Sequence, residues 1–175
     1  MKAIIPSLAA IFLAAVALGG VQGREVIEVG QPVPNMCWTD ANAKQVCLDS
    51  FPSTVRVLIY SAGWCPACNA EIDEISARVK EFNGQPVTFI SLSSQGDEHG
   101  QDPTVDFLKS WKERHNIPFV VAAAPKDAGK HFFTPPLYIP NVALVGKDGK
   151  LAYKAVAPDV DTLFEEVRKA LAPPR

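Results

Sequence analysis

The sequence lacks the excess of positive charge that is typical of nucleic-acid-binding proteins. Its 17 lysines and arginines stand against 19 aspartates and glutamates, which gives a formal net charge of -2 at pH 7. It also lacks internal repeats and low-complexity segments, so nothing indicates a repeat architecture. The 175 residues are 47% hydrophobic, which is enough apolar material for one compact core. We therefore expect a single globular domain and no nucleic-acid partner.

A zinc site is not indicated either, because the candidate ligands lack the necessary spacing. Structural zinc takes about four cysteine or histidine ligands, commonly supplied by two closely spaced pairs. The chain has four cysteines and three histidines, and only Cys65 and Cys68 form a close pair. The histidines at 99, 115 and 131 are scattered, and we interpret them as surface residues. We expect no metal and no cofactor.

The first 23 residues have the pattern of a secretory signal peptide. Lys2 precedes an almost unbroken apolar run from Ala3 to Leu18, and small residues follow the run. An uncleaved membrane anchor is the alternative, because the run approaches the roughly 20 residues that span a bilayer. Pro6 and the small residues favour cleavage, and no cysteine lies near the leader to carry a lipid. We expect a leader at 1–23, a domain at 24–175, and a periplasmic or otherwise extracytoplasmic location, membrane-anchored if the leader is retained.

Beyond the leader, the hydrophobic pattern alternates between strand and helix periods. Strands that alternate with helices and close with an antiparallel hairpin predict a layered α/β sandwich with a mixed sheet. The predicted order begins with a hairpin within 24–53, a strand at 55–60, a helix at 66–82 and a strand at 87–92. A helix follows, with Asp102 as its N-cap and Pro103 at its first position. The order ends with a strand at 119–121, a short helix near 128–132, a hairpin at 142–154 and a final helix to Leu171.

Cys65 and Cys68 lie between a predicted buried strand and an amphipathic helix. Cys65 therefore falls at the helix N-terminus, where unpaired backbone N–H groups and the helix dipole favour an anion. A stabilised thiolate is both a usable nucleophile and a good leaving group in disulfide exchange. Cys68, almost one turn later, can bond to Cys65 from inside the protein and is predicted to be the resolving thiol. An inert disulfide and half of a zinc site are the alternatives.

The Trp-Cys-Pro-Ala-Cys segment at 64–68, after a hydrophobic strand, resembles the active site of the thioredoxin superfamily. Its continuation to Glu71 resembles the Cys-x-x-Cys-x-x-Glu pattern of exported TlpA/ResA-like reductases, and the segment from Ile139 to Gly149 resembles their cis-proline strand and hairpin. The resemblance covers roughly residues 30 to 172 in element order. It implies a thioredoxin-like three-layer α/β/α sandwich with a mixed central sheet and an N-terminal β-hairpin.

The resemblance also implies a substrate-binding surface around the cysteine pair. Pro140 would be a cis-proline facing the disulfide, and the backbone of Ile139 would pair with a bound substrate strand. An ordinary trans proline at a strand start is the alternative. Trp64 and Pro66 would belong to the same surface, since an aromatic beside a reactive thiol offers apolar contact to a flexible partner.

Glu71 lies three residues after Cys68 and hence on the same side of the helix. It would hold or relay the proton that Cys68 must lose when it attacks, and a solvated helix carboxylate is the alternative. Ile59 stands where ordinary thioredoxins carry a buried aspartate, so that route to activating the second cysteine is missing. Ser61 and Gly63 also replace the aromatic and polar residues that are more usual before the motif. The resemblance therefore does not identify the substrate.

The second cysteine pair, Cys37 and Cys47, brackets a segment predicted to be a hairpin. Closing this loop of 11 residues would stabilise the fold by about 3 kcal/mol in the loop-entropy model. We predict a structural disulfide. A second redox pair that exchanges with Cys65 and Cys68 is the alternative.

Together these patterns predict an exported thiol-disulfide oxidoreductase that reduces protein disulfides through Cys65 and Cys68. Its expected partners are a disulfide-containing protein substrate and a membrane or periplasmic thiol donor, with a membrane contact only if the leader is uncleaved. One alternative is a thiol peroxidase, whose threonine and proline before the reactive cysteine are not matched by the residues at 61–64. Another is a copper-handling or binding module, which needs a further soft or imidazole ligand near the pair.

Overall fold

The computed structural model describes residues 26–173 of the chain. The predicted leader at 1–23 lies outside these residues. Within the described range, no helix has both the length and the apolar composition needed to cross a bilayer.

Residues 26–173 form seven β-strands and three α-helices in the predicted alternation. The strands are β1 (Cys37–Asp40), β2 (Gln45–Cys47), β3 (Val55–Ser61), β4 (Val87–Ser93), β5 (Val120–Ala123), β6 (Asn141–Val145) and β7 (Leu151–Val156). The α-helices are α1 (Pro66–Arg78), α2 (Val105–Arg114) and α3 (Val160–Leu171). Short 3₁₀ helices cover Leu48–Ser50, Val79–Phe82 and Ala128–His131.

The strands form one mixed sheet in the order β2-β1-β5-β4-β3-β6-β7. Its centre is the parallel set β3, β4 and β5, in which α1 and α2 make the crossover connections that parallel neighbours require. β1 and β6 pair antiparallel with the two sides of this set, and β2 and β7 complete the edges. The carboxyl ends of β3, β4 and β5 therefore meet at one edge of the sheet, and the cysteine pair follows directly after β3.

Side chains of β3 alternate between the two faces of the sheet. Val55, Val57 and Ile59 pack on one face against buried residues of all three α-helices. Leu58 and Tyr60 belong to the cluster on the other face. That face is covered by residues of the segment before β1 and of two 3₁₀ helices, namely Ile27, Val33, Met36, Leu48 and Ala128. The predicted thioredoxin-like sandwich is confirmed, with a thin third layer in which short helices take the place of α-helices.

The start of α2 differs from the sequence-based expectation. The helix begins at Val105, and its N-cap is Thr104, whose hydroxyl accepts a hydrogen bond from the Phe107 N–H at 3.1 Å. Threonine satisfies this free N–H group as aspartate would. Asp102, the predicted cap, instead lies 3.1 Å from the Lys126 ammonium in an exposed ion pair.

The N-terminal hairpin contains the second disulfide. Cys37 lies directly opposite Cys47 in the antiparallel register of β1 and β2, and the two residues are bonded. Asp40 holds the turn because its Oδ1 accepts hydrogen bonds from the backbone N–H groups of Asn42 and Lys44 at 2.8 and 2.9 Å. The predicted pairing of Cys37 with Cys47 is therefore confirmed, while its purely structural role stays a prediction.

Candidate active site

The reactive pair stands at the beginning of α1. Cys65 is the N-cap with extended backbone geometry, and Pro66 takes the first helical position, where a missing N–H group costs nothing. The Cys65 Sγ accepts a hydrogen bond from the Cys68 N–H at 3.2 Å. The predicted placement of Cys65 at a helix N-terminus is confirmed, and one free amide of that terminus points at its sulfur.

The two sulfurs are bonded to each other and differ in access. The Cys65–Cys68 disulfide is almost covered, because Cys65 is 5% exposed and Cys68 is fully buried. Pro66, between them, is exposed. An incoming thiolate therefore meets the disulfide from the Cys65 side, and Cys68 is the sulfur held in the interior.

The loop that follows β4 holds Trp64 beside the cysteine pair through two hydrogen bonds. Its indole N–H donates to Gln95 Oε1 at 3.1 Å, and its backbone N–H donates to the Gly96 carbonyl at 3.0 Å. The indole ring also contacts the His99 ring, with 4.8 Å between the ring centroids. His99 is exposed, as expected for a surface residue, but it packs against the predicted substrate-contacting aromatic.

Position 63, just before Trp64, requires glycine because two neighbouring groups lie too close to leave room for a side chain. A Cβ atom on Gly63 would lie 2.6 Å from the Phe107 ring and 2.8 Å from the Gly96 carbonyl oxygen. Side chains do not approach this closely in folded proteins, so the turn between β3 and α1 requires glycine at this position.

The predicted cis-proline follows Ile139, a residue that packs near the cysteine pair. The Ile139–Pro140 bond is cis, as the family resemblance implied, and Pro140 is buried. Ile139 is half-buried and packs against the small cluster formed by Ala62, Cys65 and Cys68. The roles of Ile139 and Pro140 in substrate binding stay predictions.

Glu71 is buried, which contradicts the alternative of a solvated helix carboxylate. The residue is 8% exposed, and neither carboxylate oxygen has a hydrogen-bond partner within residues 26–173. Burial, with a smaller contribution from the charge of Glu74, raises the pKa of Glu71 to about 7. A carboxyl group with this pKa exchanges protons readily at neutral pH.

Comparison with known proteins places this site in a family. The model of the AhpC/TSA family matches residues 29–154, which is well over half of the chain. The chain belongs to the AhpC/TSA family. A curated relative, the thiol-disulfide oxidoreductase ResA of Bacillus thuringiensis subsp. konkukian, is 26% identical over 154 residues, covering 86% of this chain and 82% of the relative.

Solved structures place this AhpC/TSA-family domain in the thioredoxin fold. A putative protein disulfide isomerase from Bacteroides thetaiotaomicron matches with a TM-score of 0.67 and 17% identity, over 82% of this chain and 88% of that one. A thiol:disulfide interchange protein of the thioredoxin family from Chlorobium tepidum TLS matches with a TM-score of 0.66 and 20% identity, over 81% of this chain and 96% of that one. At these identities the likeness establishes the fold.

Asn69 and His115 lie outside the predicted site and connect α1 to neighbouring residues in this AhpC/TSA-family chain. Asn69 donates to the Gly63 carbonyl at 2.9 Å and accepts from the Trp111 indole N–H at 3.0 Å. On the next turn, His115 Nδ1 lies 2.7 Å from Asp73 Oδ1. His115 is therefore a partly buried link between α1 and α2, not the free surface residue that the sequence suggested. Only the contact between the two helices reveals these partners.

Proposed function

We propose that this chain is a thiol-disulfide oxidoreductase that reduces protein disulfides through Cys65 and Cys68. The observation that carries the proposal is the position of Cys65, whose sulfur caps α1 and accepts the Cys68 N–H. The relative named ResA, at 26% identity across most of both chains, supports the same activity.

The reaction follows from the unequal access of the two sulfurs. In the reduced protein, the Cys65 thiolate attacks one sulfur of the substrate disulfide, forming a mixed disulfide, and the other substrate sulfur leaves as a thiolate. The Cys68 thiol then loses its proton and attacks the Cys65 sulfur. The Cys65–Cys68 bond forms, and the second substrate sulfur leaves as a thiolate. Two electrons have passed to the substrate, and a thiol donor must reduce the pair again.

Glu71 is proposed to receive the proton that Cys68 loses. A general base works best when its pKa lies near the working pH, and the pKa of Glu71 is raised to about 7 by its burial. An exposed glutamate, with an ordinary pKa of 4.5, would be a much weaker base. The spacing of three residues within α1 directs Glu71 and Cys68 to the same side of the helix.

The substrate is proposed to bind across Trp64, Pro66, Ile139 and Pro140. Trp64 and Pro66 offer apolar surface beside Cys65. An extended substrate segment would pair with the backbone of Ile139, and such main-chain pairing gives affinity without demanding one sequence.

We also propose that the chain is exported, with a leader at 1–23 and a functional domain at 24–175. The Cys37–Cys47 disulfide supports this, because such bonds persist in oxidising compartments. The electron donor would then be a membrane or periplasmic thiol protein, and the substrate a disulfide-bonded protein of the same compartment.

Reduction of insulin in the presence of dithiothreitol tests the proposal. The wild-type protein should accelerate the precipitation of insulin chains, Cys65→Ser should not, and Cys68→Ser should accumulate a mixed disulfide. The matched control replaces Cys37 and Cys47 with serine and should retain the activity. Equal activity of Cys65→Ser and wild type would refute the proposal. Fast, saturable oxidation of Cys65 by hydrogen peroxide without insulin reduction would indicate a thiol peroxidase instead.

A further inference from the structure

Asn69 connects the turn that carries Cys65 to the buried side of α2. Its side-chain amide donates to the Gly63 carbonyl at 2.9 Å and accepts from the Trp111 indole N–H at 3.0 Å. Trp111 is fully buried, so it is a fixed point against which the turn is held. One side chain therefore links the turn between β3 and α1, the first part of α1, and α2.

Asn69 also holds the backbone on both sides of Cys65. Its backbone N–H donates to the Cys65 carbonyl at 3.1 Å, as the helix requires, while its side chain holds the carbonyl of Gly63, two residues before Cys65. Between these contacts, the Cys65 N–H donates to the Ala62 carbonyl at 3.1 Å. The backbone from which the Cys65 sulfur projects is therefore fixed from both directions.

The two side-chain contacts require a group that donates and accepts at once. The asparagine amide has an NH₂ donor and a carbonyl acceptor at opposite corners. An ionised aspartate would accept from Trp111 but could not donate to Gly63, and a leucine of similar size would do neither. Loss of the amide would leave the Gly63 carbonyl without this partner in a partly buried position, where an unmade hydrogen bond is unfavourable.

This link becomes important when the cysteine pair is reduced. In the oxidised protein, the bond to Cys68 itself ties the Cys65 sulfur to α1. After reduction that tie is gone, and the sulfur stays at the Cys68 N–H only while the turn keeps Cys65 in its extended N-cap conformation. A thiolate that moves away from the helix N-terminus loses the amide and dipole interactions that stabilise it.

We propose that Asn69 is a positioning residue for Cys65: by holding the Gly63 carbonyl against Trp111, it keeps the reduced Cys65 sulfur at the N-terminus of α1. Asn69 acts through the backbone of the turn and takes no part in the exchange itself. This inference rests on the proposed function and adds to it a residue that determines how reactive the nucleophile is.

The pH dependence of Cys65 alkylation tests this role. The parent is the reduced full-length protein with Cys68→Ser, and peptide mass spectrometry follows the reaction of Cys65 with iodoacetamide at pH 7 and pH 9.5. Asn69→Leu replaces one neutral side chain with another of similar size, so a change in thiolate fraction arises from position and not from charge. The rate at pH 7 should fall about threefold or more, as loss of a modest hydrogen bond allows, and the rate at pH 9.5 should change less than about twofold because the thiol is then ionised in both proteins.

Two further variants separate positioning from general stability. Asn69→Ala suits a helix and leaves room for water, and it should show the same loss confined to pH 7, even if Asn69→Leu does not fold. His115→Ala is the matched control, because it removes the contact of His115 Nδ1 with Asp73 Oδ1 between the same two helices and leaves the turn untouched. Its rates should equal those of the parent at both pH values.

The outcomes distinguish this inference from the proposed function. An unchanged rate at pH 7 in the Asn69 variants, an equal loss at both pH values, or the same loss in His115→Ala would each overturn the role of Asn69. A parent whose rate falls about 30-fold from pH 9.5 to pH 7, as expected for a free cysteine with a pKa of about 8.5, would instead overturn the thiolate stabilisation on which the proposed function rests.

Discussion

Replacing Glu71 with glutamine should make the oxidised protein more stable at alkaline pH. In the folded protein, burial raises the pKa of Glu71 from 4.5 to about 7. A raised carboxyl pKa favours the folded state only while the group is protonated, so this contribution is full below pH 4.5 and is lost as the pH rises through about 7. The difference between the two pKa values corresponds to about 3 kcal/mol. Glutamine has the same shape and no charge to bury.

The expected result is a stability difference that grows with pH. Near pH 4, the free energy of unfolding of Glu71→Gln should equal that of the wild type within about 1 kcal/mol. At pH 8, the variant should be more stable by about 2–3 kcal/mol. Urea unfolding of the oxidised proteins across this range measures the difference, and Glu165→Gln, an exposed carboxylate on α3, is the matched control. A Glu71→Gln difference that does not change between pH 4 and pH 8 would refute the burial argument.

Three further predictions concern the same region and the second disulfide. Glu71→Gln should slow the attack of Cys68 on the mixed disulfide by about 100-fold or more at pH 7, in single-turnover measurements, while leaving the first attack by Cys65 within a few-fold. Gly63→Ala should lower the free energy of unfolding by about 1–3 kcal/mol, because its Cβ would overlap the Phe107 ring. Replacing Cys37 and Cys47 with serine should lower stability by about 3 kcal/mol in thermal or urea unfolding and leave the insulin assay unchanged; loss of activity would favour a second redox pair.

The features that could be predicted from sequence are those that depend on local order along the chain. A β-branched run predicts β3, and a proline followed by an amphipathic repeat predicts α1. Together they place Cys65 at the N-terminus of α1, whatever the helix packs against. The cis bond before Pro140 followed from resemblance, since nothing in the neighbouring residues distinguishes it from a trans bond. For α2, the sequence predicts Asp102 as the N-cap and the structure has Thr104, two residues later, because both are good N-cap residues.

The features that were missed depend on contacts between elements distant in sequence. The burial of Glu71 follows from how α1 packs, which the helical period alone does not define. The pairing of β3 with β6 brings Tyr60 beside Asn141, and the contact of α1 with α2 joins Asn69 to Trp111. In each case the sequence shows the residue type, and only the fold determines what surrounds it.

The most direct test of the account is the pH dependence of Cys65 alkylation in the reduced protein. The rate of reaction with iodoacetamide, monitored in the Cys68→Ser variant by mass spectrometry, reports the fraction of Cys65 thiolate. The N-terminus of α1 and the backbone N–H group of residue 68 should lower the pKa of Cys65 below that of free cysteine, which is about 8.5. A pKa of about 8.5 or higher would contradict the claim that α1 stabilises the thiolate.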